Sequence, residues 1–159
     1  MGKLYLEQKF LKIYDDYPVY NDNGEIVFYV RQDPSLIQFR FNVYDSFNNY
    51  IFTIEKKILA LLAKYNLTFS DGRKYTFKQQ LGLTIKLETL ETSDVYFNIK
   101  GKGLSGEFKV YANDQYIGLI KKKIFALKDI FEINFDNHMY MDILLGITIA
   151  IDNIMDTND

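Results

Sequence analysis

Two runs of lysine are the residues whose spacing points most directly to chemistry. Lys56 and Lys57 form the first run, and Lys121, Lys122 and Lys123 form the second. A lysine close to an anionic membrane leaflet contributes about 1 kcal/mol of attraction. The two runs are therefore candidate contacts for an anionic phospholipid or a protein partner. Neighbouring side chains on a regular strand point to opposite faces, so a run of three cannot form one cluster, and solvated lysines at strand ends are the alternative interpretation.

His138 is the only histidine in the chain, so it is the only candidate base for a Ser-His-Asp arrangement. One histidine cannot build a multi-histidine metal site, and its position after Asp136-Asn137 favours a capping or solvated role. Cysteine is absent, which excludes disulfides, thiolate metal ligands and a cysteine nucleophile. We find no catalytic constellation and no metal or cofactor motif in the sequence. It predicts a protein that is not an enzyme and has no cofactor.

The overall composition narrows the class of protein. A net charge of −2 at pH 7 argues against a dedicated nucleic-acid binder, which is usually basic. The 159 residues, 48 % of them apolar, are enough for one well-filled domain. The first residues show no uninterrupted apolar stretch, so a secretory signal is not expected, and the predicted location is cytoplasmic, with peripheral membrane contact left open. Abundant Asn, Ile, Lys and Tyr indicate an AT-rich, bacterial source.

Strands must position these residues, because apolar and polar residues alternate along most of the chain. The alternation is clear in 25–30, 37–44 and 95–100. Asn, Asp and Gly mark the turns between such stretches at 21–24, 45–49 and 71–72. The spacing predicts about twelve short strands in a barrel or sandwich without a domain boundary.

An internal repeat supports a sheet built from similar units. Residues 41–69 align with residues 108–135 after a single one-residue gap, and a shorter echo begins at Val19-Tyr20. Both lysine runs fall at equivalent places in the repeat. The sequence "EKKILALLAKY" has helical spacing by itself, but its repeat partner is richer in strand formers. We therefore predict a strand, a bend and a second strand in both copies.

The most apolar stretch, "ILLGITIAI", lies between Asp142 and Asp152. Nine uncharged residues are too few for a transmembrane helix, which needs about twenty predominantly apolar residues. Its β-branched residues favour a strand, whereas its length and small residues favour a helix that protein encloses on all sides. We predict a core helix over about 138–155, with these residues in the core: Ile143, Leu144, Leu145, Ile147, Ile149 and Ile151.

Together these patterns resemble the LURP-one-related proteins, relatives of the tubby C-terminal domain and of the phospholipid scramblases. The resemblance rests on "VYNDNGEIVFYV", on the repeated "VYxxxxxYI" and "IxKKI" units, and on "MDILLGITIAIDNIM". It implies a mainly β fold, a twelve-stranded closed antiparallel barrel around one hydrophobic C-terminal helix. It also implies a non-catalytic binding module for an anionic phospholipid head group or a protein partner. A scramblase-like membrane-associated protein and an enzyme with a small-ligand site remain alternatives.

Overall fold

The computed structural model describes residues 2–8, 16–33, 39–57, 62–80, 85–89, 94–102, 106–126 and 128–157. In these ranges the chain forms twelve strands, then a short 3-10 turn at His138–Tyr140 and a 17-residue helix, α1, at Met141–Thr157. The strands are β1 Gly2–Gln8, β2 Asp16–Asn21, β3 Ile26–Gln32, β4 Arg40–Asp45, β5 Tyr50–Lys57, β6 Lys64–Phe69, β7 Lys74–Gln80, β8 Ile85–Thr89, β9 Phe97–Lys102, β10 Glu107–Ala112, β11 Gln115–Ile124 and β12 Asp129–Phe135.

The strands close into a single antiparallel barrel. Each strand pairs with its neighbours in sequence, and β1 completes the ring by pairing with β12 from Gly2↔Phe135 to Gln8↔Asp129. Closure leaves no strand edge without a partner, which removes the usual template for sheet-to-sheet aggregation. The predicted fold, a twelve-stranded closed antiparallel barrel with one C-terminal helix, is confirmed.

The barrel interior is filled by side chains rather than by solvent. Alternate residues of each strand point inward, as the pleat requires, so that Phe41 and Val43 of β4 are buried while Asn42 is only partly buried. The helix α1 supplies the opposing surface. Its side chains at the following positions are all at most 5 % exposed: Ile143, Leu144, Leu145, Ile147, Ile149 and Ile151.

Polar contacts hold both ends of α1 in the barrel. The Arg73 guanidinium, in the β6–β7 turn, lies 2.8 Å from the Asp142 carboxylate in the first turn of the helix. Near the other end, the Tyr65 hydroxyl donates a hydrogen bond of 2.6 Å to Oδ1 of Asn153. Tyr65 lies near the start of β6 and Arg73 follows its end, so α1 runs along the inside of the barrel from one rim to the other.

Three Val-Tyr pairs in the sequence each lie at a β-bulge in the barrel. The strand register shifts between Val19 and Tyr20, between Val43 and Tyr44, and between Val110 and Tyr111. A bulge increases the local twist, which helps a sheet to close. The segments 41–69 and 108–135 each contain three consecutive strands, although their common origin stays a prediction. The second lysine run lies in β11, and a bend and then β12 follow it, as predicted for that copy, while residues 58–61 of the first copy lie outside the described residues.

The two rims of the barrel differ in the chain segments that they carry. One rim carries the β2–β3, β4–β5, β6–β7 and β10–β11 turns and the start of α1. We call it the acidic end, because its described carboxylates include Asp22, Glu25, Asp45, Asp71, Asp94, Asp114, Asp136 and Asp142. The opposite rim is formed where β5, β7, β9 and β11 end. We call it the lysine end, because its described lysines include Lys56, Lys57, Lys64, Lys78, Lys100, Lys109, Lys121, Lys122, Lys123 and Lys128.

The contact between α1 and β6 gives a test of the enclosed helix. A Cβ atom at Gly146 would collide with Cδ2 of Leu67 and would lie 3.3 Å from the Phe52 ring. We expect Gly146→Ala to lower the free energy of unfolding by about 1–3 kcal/mol through overpacking, although alanine is the better helix former by about 1 kcal/mol. Chemical denaturation would measure the change.

The control for that variant is Leu67→Val, which removes the colliding atom. In the double variant we expect less destabilisation than the sum of the two single changes. Strictly additive effects, or a stabilising Gly146→Ala, would contradict the close packing of α1 against β6.

Candidate functional site

The lysine end contains a row of like charges on the outer wall of the barrel. Lys57 is the cross-strand partner of Lys64, and Lys64 is the partner of Lys78, on β5, β6 and β7. The side chains point outward, since the residues beside them, Tyr65 and Phe77, are buried in the core. Directly opposed side chains have Cβ atoms about 4.5–5.5 Å apart, and opposed like charges destabilise a sheet. We call these three residues the lysine row.

No carboxylate neutralises this row within the described residues, where none lies within 4.0 Å of its ammonium groups. The two nearest acidic positions have other partners. Glu55 lies 3.0 Å from the Arg40 guanidinium. Glu88, the cross-strand partner of Lys78, accepts a hydrogen bond of 2.7 Å from the Tyr96 hydroxyl. That bond, with burial and the charge of Glu88, raises the pKa of Tyr96 to about 12.

Other carboxylates at the lysine end are also paired, so the row keeps its charge. Salt bridges join Asp16 to Arg31 at 2.9 Å and Glu7 to Lys128 at 2.9 Å. The net charge of the whole chain is −2, and the turns of the acidic end carry much of the negative charge. The distribution is therefore polarised along the barrel axis, which the net charge conceals.

The structure separates the five lysines that the sequence analysis singled out. Lys56 and Lys122 lie over core rings, with their Nζ atoms 5.9 Å from the Tyr65 ring and 5.8 Å from the Phe131 ring. The Lys122 side chain is only 9 % exposed, and it also pairs with Asp129 at 3.4 Å. Neither lysine is well placed for a partner on the outer wall.

The remaining three lysines lie on the outside but apart. Lys57 belongs to the lysine row, whereas Lys121 and Lys123 lie on β11, with β6 to β10 between the two strands. Lys121 has Glu107 and Glu132 as its cross-strand partners, so its neighbours are of opposite charge. The two lysine runs therefore do not form one cluster.

Glu132 organises a separate ion-pair network. Its side chain is only 5 % exposed, and it accepts contacts from Lys123 and, at 3.2 Å, from Lys3. Burial tends to raise the pKa of the Glu132 carboxyl, but the hydrogen bonds and charges of Lys123 and Lys3 outweigh it and lower that pKa. The network joins β1, β11 and β12, which makes it a structural contact across the closure of the barrel.

A shallow polar groove of about 330 Å³ adjoins the lysine row on β4, β5 and β6. The Thr53 hydroxyl lies 2.7 Å from Oδ1 of Asn42 and 2.6 Å from the Tyr50 hydroxyl. These polar groups bond mainly to one another, so the groove does not resemble a preorganised catalytic site. Its lining residues are Asp33, Arg40, Asn42, Tyr50, Thr53, Glu55 and Thr68.

His138 lies at the opposite rim from the lysine row. It is exposed, and its ring meets Phe135 edge-on at 5.3 Å between ring centres. The adjacent Asn137 caps the 3-10 turn by accepting a 3.0 Å hydrogen bond from the backbone of Met139. In the part of the chain that the structure describes, no three His, Cys, Asp or Glu side chains lie together as a metal site would require.

Lys64 and Lys78 are the residues that sequence reasoning missed. Neither belongs to a lysine run, and each has an unremarkable neighbourhood in the sequence. They become neighbours of Lys57 only through the strand register. A register model for the β5–β6 and β6–β7 hairpins, built from the turn positions, could have revealed them.

Comparison with known proteins assigns the family. The sequence profile of the LURP-one-related family matches residues 3–152. The chain belongs to the LURP-one-related family. A protein from Arabidopsis thaliana with a known X-ray structure is similar at a TM-score of 0.59 and 13 % identity, over 94 % of this chain and 91 % of that one. At this level of identity, the likeness supports the fold of the LURP-one-related chain and says nothing about its function. No curated protein matches the sequence significantly.

The helix α1 of this LURP-one-related chain has 17 residues. Across the described ranges, no helix is both long and apolar enough to cross a bilayer.

The Glu132 network predicts a pH dependence of stability. Because the folded-state pKa of Glu132 is lowered, its stabilising contribution is present above the ordinary carboxyl pKa of about 4.3 and is lost as the pH falls through the folded value. We expect Glu132→Gln to lower the free energy of unfolding by about 1–3 kcal/mol at neutral pH. The variant should also show a smaller loss of stability than the parent when the pH is lowered through the carboxyl range.

Urea denaturation at a series of pH values checks this expectation. Asp94→Asn, which removes one exposed carboxylate, serves as the control and should keep the parent pH profile. A Glu132→Gln profile parallel to that of the parent would show that the network does not couple protonation to folding.

Proposed function

We propose that this chain is a non-catalytic binding module whose lysine end docks on an anionic phospholipid surface. The lysine row carries the proposal, because it places three like charges side by side, and no described carboxylate lies within 4.0 Å of their ammonium groups. Such a row lowers the stability of the sheet. Locally unfavourable features of this kind tend to be found at functional sites.

The shape of the row fits an extended surface better than an enclosed ligand. Its lysines lie on the convex outer wall, and the barrel interior is occupied by α1 and core rings. A convex wall cannot surround a small molecule, whereas lysines on the wall near its rim can reach phosphate groups spread over a membrane that faces that rim. At about 1 kcal/mol for each lysine near an anionic leaflet, the row would contribute about 3 kcal/mol.

The family resemblance supports the same ligand chemistry. Tubby-type domains, which the sequence resembles, bind phosphoinositides through basic surface residues. The lysine row offers such residues on the outer wall, although no tubby lipid-binding motif can be matched to this chain. A net charge of −2 would by itself disfavour binding to an anionic membrane. The charge is polarised along the barrel axis, however, so the acidic end would face away from the membrane.

Two lysines of β7 provide a matched test. Lys78 belongs to the lysine row, and Lys74 lies at the acidic end of the same strand. We expect Lys78→Ala to weaken binding to phosphatidylcholine vesicles containing phosphatidylserine by about fivefold, and the triple change of the lysine row to Ala to weaken it by about 100-fold. Lys74→Ala should bind as the parent does, and vesicle flotation would measure all three.

Ionic strength gives a second readout of the same contact. Screening shortens the range of surface charges to about 3 Å at 1 M salt, so parent binding should weaken as salt is raised and the triple variant should be less sensitive. Equal losses for Lys78→Ala and Lys74→Ala would contradict a specific lysine row. Parent protein that ignores anionic vesicles but uses Lys78 to bind an acidic protein would assign the row to a protein partner instead.

A further inference from the structure

The β11–β12 hairpin presents two large apolar side chains to solvent at the lysine end. Ile124 is 79 % exposed and Phe125 is 52 % exposed. The backbone N–H of Phe125 donates a 3.1 Å hydrogen bond to the carbonyl of Lys128, which closes the turn behind them. Exposure of a single apolar side chain is common, but two adjacent ones at a hairpin tip form a small projecting wedge. We call Ile124 and Phe125 the apolar tip.

Lysines surround the apolar tip on both sides in the sequence. Lys123 precedes it and Lys128 follows it, and their side chains are 49 % and 50 % exposed although each pairs with a glutamate. Half-exposed ammonium groups retain room for a second anionic partner. Lysine stems lie along apolar surface while their charged heads remain in the polar layer. The tip and its lysines therefore match the depth profile of a lipid interface, with an apolar interior below anionic phosphates.

The position of the tip relative to the lysine row identifies the kind of partner. The row spans β5 to β7 and the tip joins β11 to β12, with β8 to β10 between them on one side and β1 to β4 on the other, so the row and the tip lie on opposite sides of the barrel. Both nevertheless lie at the lysine end. A small ligand cannot touch both, whereas a flat surface facing that end can touch both at once. A membrane offers the anionic layer and the apolar interior that these two features need.

We propose that the apolar tip inserts into the bilayer below the phosphates and holds the barrel end-on, with the lysine end toward the membrane. This inference rests on the proposed function and adds the inserted residues and the orientation. Burial of Ile124 and Phe125 removes apolar surface from water, a term that salt does not screen. The lysine row supplies the salt-sensitive part of binding, and the apolar tip supplies the remainder.

The absence of tryptophan from the chain allows a clean test. Phe125→Trp places a single indole at the apolar tip, and Phe47→Trp places one at an 85 % exposed position in the β4–β5 turn of the acidic end. With vesicles of phosphatidylcholine and phosphatidylserine that include brominated acyl chains, we expect a blue shift and quenching for Phe125→Trp. The Phe47→Trp emission should stay that of a solvated indole.

Binding measurements with polar substitutions complete the test. We expect Phe125→Ser to weaken vesicle binding about tenfold and to leave the salt dependence unchanged, while Phe47→Ser binds as the parent does. Circular dichroism would verify that both variants keep the parent fold, as expected for exposed positions.

The outcomes separate this inference from the proposed function. If both reporter proteins bind the vesicles and the Phe125→Trp indole stays solvated, the tip does not insert, although the lysine end still binds lipid. If neither protein binds anionic vesicles at low salt, the proposed function fails and the insertion fails with it. A blue shift of Phe125→Trp that depends on protein concentration without vesicles would show that the tip packs against a second copy, which overturns insertion.

Discussion

The enclosure of α1 by a closed barrel is the constraint on which the rest of the structure depends. A helix that is apolar on all sides must be covered by protein, and the inward residues of twelve strands cover this one. Close approach is possible because Gly146 and Gly118 lack side chains where Leu67 and Leu144 pack. Because the interior is filled in this way, the candidate binding surfaces lie on the outer wall and at the rims.

The two rims of the barrel differ in the charged residues that they carry and in how the fold uses those residues. Asp and Asn residues build the tight turns of the acidic end. Asp45, for example, accepts hydrogen bonds from the Asn49 side chain and from the backbone of Asn49 and Phe47, and these lower its pKa. Turn geometry explains a carboxylate such as Asp45, and the contact with Arg73 explains Asp142. Among the described residues, by contrast, no carboxylate lies within 4.0 Å of the ammonium groups of the lysine row. This contrast is the physical reason for proposing a binding surface at the lysine end.

Much of the fold could be predicted from the sequence, because strand alternation, turn residues and the apolar segment before Asp152 are local signals. The helix formed despite its β-branched Ile147 and Ile149, since enclosure by the barrel outweighs a small difference in propensity. The candidate site was harder to predict from the sequence. Lys56 and Lys122 were grouped with their outward neighbours because strand phase was uncertain at the strand ends. Lys64 and Lys78 were missed because cross-strand register is a property of the folded sheet.

In the proposed complex, one rim of the barrel faces an anionic membrane. Backbone amide NMR signals of the protein bound to anionic bicelles, with a spin-labelled lipid added, would report which rim lies at the lipid. We expect strong broadening at the ends of β5, β7 and β11 and at the apolar tip, and none in the turns at 46–49 and 113–114. Equal broadening at both rims, or broadening confined to the acidic end, would contradict it.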